Sequence, residues 1–183
     1  MNICFTGHRP SKLGGYNWNS KKNKQIMNSI RETVINIYNN MVDDETLRVK
    51  VGGALGIDQM AFAICYDLIE EGYNIELIVC VPFKDQPKMW PNKSKLLYKD
   101  QLNKADEVIY VDRLTNTKYI NANNKIDIYV QNKMQLRNIY MVDDSDIVIA
   151  YWDGSKGGTD NCIKYAKSLN KKIINLYENR KEW

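Results

Sequence analysis

The residues best equipped for chemistry fall into a few glycine-rich or aromatic stretches. "TGHRP" holds the single histidine of the chain, His8, between Gly7 and Arg9. "GGALGID" holds Gly52, Gly53, Gly56 and Asp58, and "GSKGGTDN" holds Gly157, Gly158 and Thr159 followed by Asp160. "PFKDQPKMW" carries Phe83 and Trp90, and "QLRN" carries Arg137. A guanidinium beside a glycine hinge suits a forked, charge-assisted contact with phosphate. Glycine turns that open a helix present unpaired N–H groups and the positive end of the helix dipole, which favour anions. An aromatic ring offers a face to a flat base. If the chain is an enzyme, His8, Asp58 and Asp160 are the candidate acids and bases. Each residue also has a plainer reading: Asp58 as a first-turn carboxylate, Thr159 as an N-cap, His8 as a structural histidine, Trp90 as core packing.

The elements that must position these groups follow from hydropathy. Six short runs rich in β-branched and aromatic residues recur: Ile3–Thr6, Val49–Val51, Ile75–Val81, Val108–Val111, Ile147–Tyr151 and Ile173–Tyr177. Several are apolar at consecutive positions, as in strands covered on both faces. Between them lie helical spacings: Ile26 to Met41, Met60 to Leu68, Leu96 to Leu102, Ile128 to Tyr140 and Ile163 to Leu169. Strand and helix alternate throughout. Right-handed crossovers then give a Rossmann-like, doubly wound and mostly parallel sheet of about six strands, with helices on both faces. In such sheets ligands sit beyond the carboxyl ends of the strands, at the point where strand order reverses. Seven of the ten glycines fall just beyond the first, second and fifth runs, on that one edge. Neither glycine turn ends in the Gly-Lys-Ser/Thr of a P-loop, and neither matches the dinucleotide fingerprint. The polar stretch Asp112–Lys125 reads as an exposed excursion, either a plain loop or a lid.

Composition bounds the class. The 183 residues are 44% hydrophobic and 26% charged, which fits one soluble domain spanning 1–183. No run is long and apolar enough for a membrane span, and the opening "MNICFTG" enters a strand directly, so neither a membrane nor a signal peptide is expected. Cys4, Cys65, Cys80 and Cys162 lack metal-ligand spacing and sit among apolar neighbours, as reduced core thiols of a cytoplasmic protein do. Neither a metal nor a cofactor is expected. The net charge of +4 comes from dispersed lysines, which permits an anionic ligand but makes nucleic acid an unlikely partner.

With these motifs in order, the chain resembles the YpsA-like family of the SLOG superfamily. "TGHRPSKLGGY", "GGALGID", "PF…Q…W", "RN…MVDDSD" and "GGT" carry the resemblance over nearly the whole length. DprA and the LOG phosphoribohydrolases are more distant relatives. The resemblance implies a Rossmann-like fold and a nucleotide-derived ligand, such as an ADP-ribose-like or cyclic nucleotide signal. It carries over Gly7, His8 and Arg9 as the first loop, and Gly52, Gly53, Gly56 and Asp58 as the second. Gly157, Gly158 and Thr159 match the phosphate-type loop, and Arg137 with Asn138 the helix 4 pair. One departure matters: LOG hydrolases carry a glutamate shortly after their glycine-threonine motif, and "KGGTDNC" has none there. The expectation is therefore a non-catalytic sensor or sequestering protein, one version being a phage-encoded trap for a host immune signal. The alternatives are a hydrolase of a glycosidic or phosphate bond, and a single-stranded-DNA-binding protein of DprA type. Exposed aromatics of the fourth helix, including Tyr129 and Tyr140, and the habits of relatives point to a homodimer or higher homo-oligomer.

Overall fold

The structure is a computed structural model and describes residues 1–42, 44–116, 118–119 and 126–177. Six strands are laid down in the order β1 (Asn2–Gly7), β2 (Leu47–Val51), β3 (Ile75–Val81), β4 (Glu107–Tyr110), β5 (Ile147–Tyr151) and β6 (Lys172–Asn175). They form one sheet, β4-β3-β2-β1-β5-β6, in which every pairing is parallel. Five helices connect them: α1 (Lys21–Asn39), α2 (Ile57–Glu70), α3 (Asn92–Lys104), α4 (Gln131–Asp143) and α5 (Gly158–Ser168). The doubly wound α/β expectation holds.

Alternation along β1 shows how both faces are covered. Ile3 and Phe5 join the cluster built by Ile26, Ile30 and Val34 of α1, Met60 and Leu68 of α2 and Tyr98 of α3. Cys4 turns the other way, to Met141 and Val142 of α4 and Cys162 and Ala166 of α5. Each fully buried Ile, Val or Leu contributes about 1.5–3 kcal/mol of transfer free energy, so both faces matter to stability. The four cysteines are free and buried, and burial pushes the Cys162 thiol up to about 11. Among the described residues no helix is long and apolar enough to cross a membrane.

Chain order sets the site. From β1 the chain steps outward through β2, β3 and β4 with its helices on one face. It then crosses back to β5 on the other flank of β1. The loops after β1 and β5, neighbouring strands, therefore leave toward opposite faces, and a crevice opens between them.

Some boundaries differ from the sequence expectation. The fourth helix begins at Gln131 rather than Ile128, because Asp127 has φ +64° and Val130 is extended, so residues 127–130 approach as a strap. Met41 and Leu169 lie past the ends of α1 and α5, and Val111 belongs to a short 3-10 turn. Of the polar excursion, residues 117 and 120–125 lie outside the described residues.

Candidate functional site

Beyond β1, β2 and β5 lies a cavity of about 260 Å³. Gly7, His8 and Arg9 come to it from the first strand, Ala54 and Asp58 from the second turn, and Arg137 and Asn138 from α4. Gly157, Gly158 and Thr159 complete it at the start of α5. The charged groups on its wall are Arg9, Lys12, Arg137 and Lys156 against one carboxylate, Asp58. That balance favours an anion.

Arg9 is an exposed residue at the end of β1, and among the described residues it has neither a hydrogen bond nor an ion pair. The walls around its guanidinium lower its pKa by desolvation, helped by Arg137 and opposed by Asp58. Lys12, on the next turn, instead reaches Ser155 Oγ and lies 3.6 Å from Asp153 Oδ2. Across the cavity α5 is preceded by its N-cap Gly157, whose φ of +152° excludes most side chains and which has no side chain to cap the helix. Asn161 N–H already bonds Gly157 O, so the helix is closed from that turn onward. The N–H groups of Gly158, Thr159 and Asp160 in the turn before it are the ones helix geometry leaves unpaired. Thr159 lies inside the first turn and is not the N-cap.

The second glycine turn is built differently. Asp58 sits in the first turn of α2, where its Oδ2 accepts from Ala54 N–H at 3.1 Å and lies 3.8 Å from Arg137 Nη1. Burial pushes its carboxyl up, against the pull of Arg137 and Arg9. Arg137 also donates through Nη1 to the Gly52 carbonyl, and at 3.4 Å to Cys80 O, so it clamps the ends of β2 and β3. A Cβ on Gly52 would fall on that guanidinium. A Cβ on Gly53 would meet Tyr98, and one on Gly56, at φ +95°, would meet His8 O. A side chain at any of these three glycines would collide behind the cavity wall, and the residues of that turn on the wall itself are Ala54 and Asp58.

His8 is 7% exposed and ties two loops together. Asp153 N–H donates to its Nε2 at 3.1 Å, and the same nitrogen lies 2.8 Å from Asp153 Oδ1. One nitrogen serves one of these at a time. Burial lowers the imidazole pKa against the pull of Asp153, so the ring is neutral at pH 7; its Nε2–H tautomer donates to Oδ1, the shorter contact, and the other tautomer accepts from the N–H. Asp160 is not on the cavity wall; it pairs at 2.8 Å with Lys164 of its own helix.

Phe83 and Trp90 are not brought to this cavity. They line a neighbouring hollow of about 450 Å³ between the loop after β3 and the strap before α4, with Met134 common to both walls. Trp90 stands edge-on to Tyr98 and Phe83 to Tyr129. Tyr129 is 63% exposed but precedes α4, whereas Tyr140 is half-buried against Tyr119.

Sequence reasoning did not name Lys12, Ser155, Lys156 or Met134 as site residues. The first three sit within motifs it had already singled out, so reading outward from the glycines would have reached them. Asn23 had no such signal. It is fully buried, accepts from Gly14 N–H at 2.8 Å and donates to Gly15 O and Asn17 O, pinning the loop that follows Arg9.

The profile of the YspA SLOG family (YpsA) matches residues 3–179. The chain belongs to this family. Its relatives within reach of sequence comparison include the SPbeta prophage-derived protein YoqJ of Bacillus subtilis (strain 168), 39% identical over 142 residues. That match covers 77% of this chain and 82% of YoqJ. A UPF0398 protein of Bacillus thuringiensis (strain Al Hakam) is 25% identical over 175 residues, 96% of this chain and 86% of that one. Two solved structures of DNA processing protein A share the SLOG chain's fold at 16% identity. The Streptococcus pneumoniae protein has a TM-score of 0.60 and the match covers 94% of this chain and 48% of that one. The Helicobacter pylori protein, whose structure concerns its single-stranded DNA binding mode, has a TM-score of 0.56 over 94% and 63%. This chain thus spans less than two thirds of either DNA processing protein.

Proposed function

We propose that this SLOG protein binds a nucleotide-derived anion, of the ADP-ribose or cyclic nucleotide class, and holds it without turning it over. The observation that carries the reading is Arg9, a cation with no hydrogen-bond or ion-pair partner among the described residues, on the same cavity wall as the uncapped start of α5. Forked guanidinium contacts and helix N–H groups are the two recurring means of holding a phosphate. In this reading Arg9 and Lys156 neutralise the phosphate charge, and Gly158 and Thr159 N–H groups bond its oxygens. Asp58 accepts from a ribose hydroxyl.

Binding is favoured over hydrolysis because two of the three acid or base candidates are turned to partners of their own and the third, Asp58, lies against a guanidinium. Asp58 is held by Ala54 N–H and lies beside Arg137, Asp160 is paired with Lys164, and His8 is committed to Asp153. The prophage origin of the YoqJ relative suits a protein that captures a nucleotide signal of its host.

The test is mass spectrometry of small molecules after incubating the purified protein with NAD, ADP-ribose, cyclic ADP-ribose isomers, AMP and cyclic dinucleotides. A nucleotide retained on the protein and released intact by denaturation is the expected result. Conversion to a new mass, lost in Asp58→Asn, would make the chain an enzyme.

A further inference from the structure

The hollow beside the phosphate-type cavity has a composition unlike its neighbour. Its wall is aromatic and aliphatic, with Phe83, Trp90, Tyr129 and Met134, and Met89 at its rim is 89% exposed. Large apolar side chains held open to solvent around a concavity mark a place where an apolar partner surface is absent. One polar side chain in that wall is buried: Gln86, 6% exposed. Its Nε2 donates to the Gly52 carbonyl at 3.3 Å, the same oxygen that accepts from Arg137. Because only the amide nitrogen can donate to that carbonyl, the orientation of the side chain is fixed and Oε1 is left as the acceptor. That Oε1 is buried and has no hydrogen-bond partner. A buried acceptor without a partner costs roughly 1–3 kcal/mol, which a ligand donor would recover. Two facts join the hollow to the first cavity: Met134 stands on both walls, and Gly52 O receives a side chain from each.

We infer that this hollow is the base subsite of the same ligand, in which the aromatic wall receives the ring and Gln86 Oε1 accepts from an amino group on the base. The inference rests on the phosphate reading of the first cavity and adds the class of base. An exocyclic amine, as on adenine or cytosine, supplies the missing donor, and an otherwise identical base without it does not. A site built around a hydrogen bond discriminates strongly against the analogue that lacks it.

The test is isothermal titration of the full chain with inorganic pyrophosphate and two pairs of nucleoside diphosphates. One pair is ADP and purine riboside 5′-diphosphate, the other CDP and pyrimidin-2-one riboside 5′-diphosphate; within each pair only the amine differs. In at least one pair the amine-bearing member is expected to bind at least tenfold more tightly. Tyr129→Ala, at an exposed position, is expected to weaken that member at least fivefold while leaving pyrophosphate unchanged. Affinities within a factor of two in both pairs, with pyrophosphate still bound, overturn the base subsite and leave the phosphate site standing. If neither pyrophosphate nor any diphosphate binds, both readings fall.

Discussion

Gly52 lacks a side chain because the Arg137 guanidinium occupies the space a Cβ would need. That guanidinium, buried with Asp58, holds the ends of β2 and β3 by their carbonyls. Truncating one member of a buried ion pair leaves the other uncompensated, so Arg137→Met is expected to cost about 3–5 kcal/mol in urea unfolding. The Arg137→Met, Asp58→Asn double variant should cost less than the sum of the two single changes, as groups in contact do. His8 gives a pH dependence. Its folded pKa lies below the ordinary value of about 6.5, so between the two the unfolded chain binds a proton that the folded chain sheds. The contribution of neutral His8 to stability is present above about pH 6.5 and is lost as pH falls through that window. Urea midpoints measured at pH 7.5 and 5.5 should therefore drop more for the wild type than for His8→Gln.

At the scale of elements, two glycine turns that look alike in sequence end in different ways. The start of α2 is filled from within by the Asp58 carboxylate, whereas the start of α5 is uncapped and faces the cavity. Sequence placed both turns beyond their strands, because a parallel sheet leaves little else at that edge. It did not reveal which turn is occupied, since Asp58 and Asp160 both fall in the first turn of their helices, as its second and third residue, and only their partners set them apart. The two turns predict opposite phenotypes. Gly56→Ala places a Cβ against His8 O at φ +95° and should destabilise the fold by roughly 1–3 kcal/mol. Gly157→Ala meets no atom within 4 Å, so its effect on unfolding should be smaller, while nucleotide affinity falls because the backbone turn that aims the α5 N–H groups is disturbed. Thermal melts and a binding isotherm on each variant separate the two. The start of α4 was also misplaced in sequence: the apolar spacing of Ile128 and Tyr129 continues that of the helix, and only the positive φ of Asp127 separates them.

Over the whole molecule, the reversal of strand order between β1 and β5 is what makes a site of these pieces. Strand and helix alternation was plain in the sequence, because strands buried on both faces are apolar at successive positions. The order of strands was not, so the sequence offers Phe83 and Trp90 as rings for a base without separating the loop of β3 from the cavity between the loops of β1 and β5. They line the hollow next to it. A ligand that bridges the first, second and fifth loops binds only the folded chain. At a hundred times its Kd it should add about 2.7 kcal/mol to stability, a rise in melting temperature of about 5–10 °C for a chain of this size. Differential scanning calorimetry with ADP-ribose measures it directly.

The most direct test of the phosphate site is calorimetric titration of ADP-ribose into the wild type and Arg9→Ala, with the melting temperature of both. Loss of a charged hydrogen-bond partner from a desolvated contact should weaken binding about 30-fold or more. Because Arg9 has no hydrogen-bond or ion-pair partner among the described residues, the unliganded melting temperatures should agree within about 2 °C. Unchanged affinity in Arg9→Ala, or a collapse of its melting temperature with binding retained, would make Arg9 a structural residue and contradict the account.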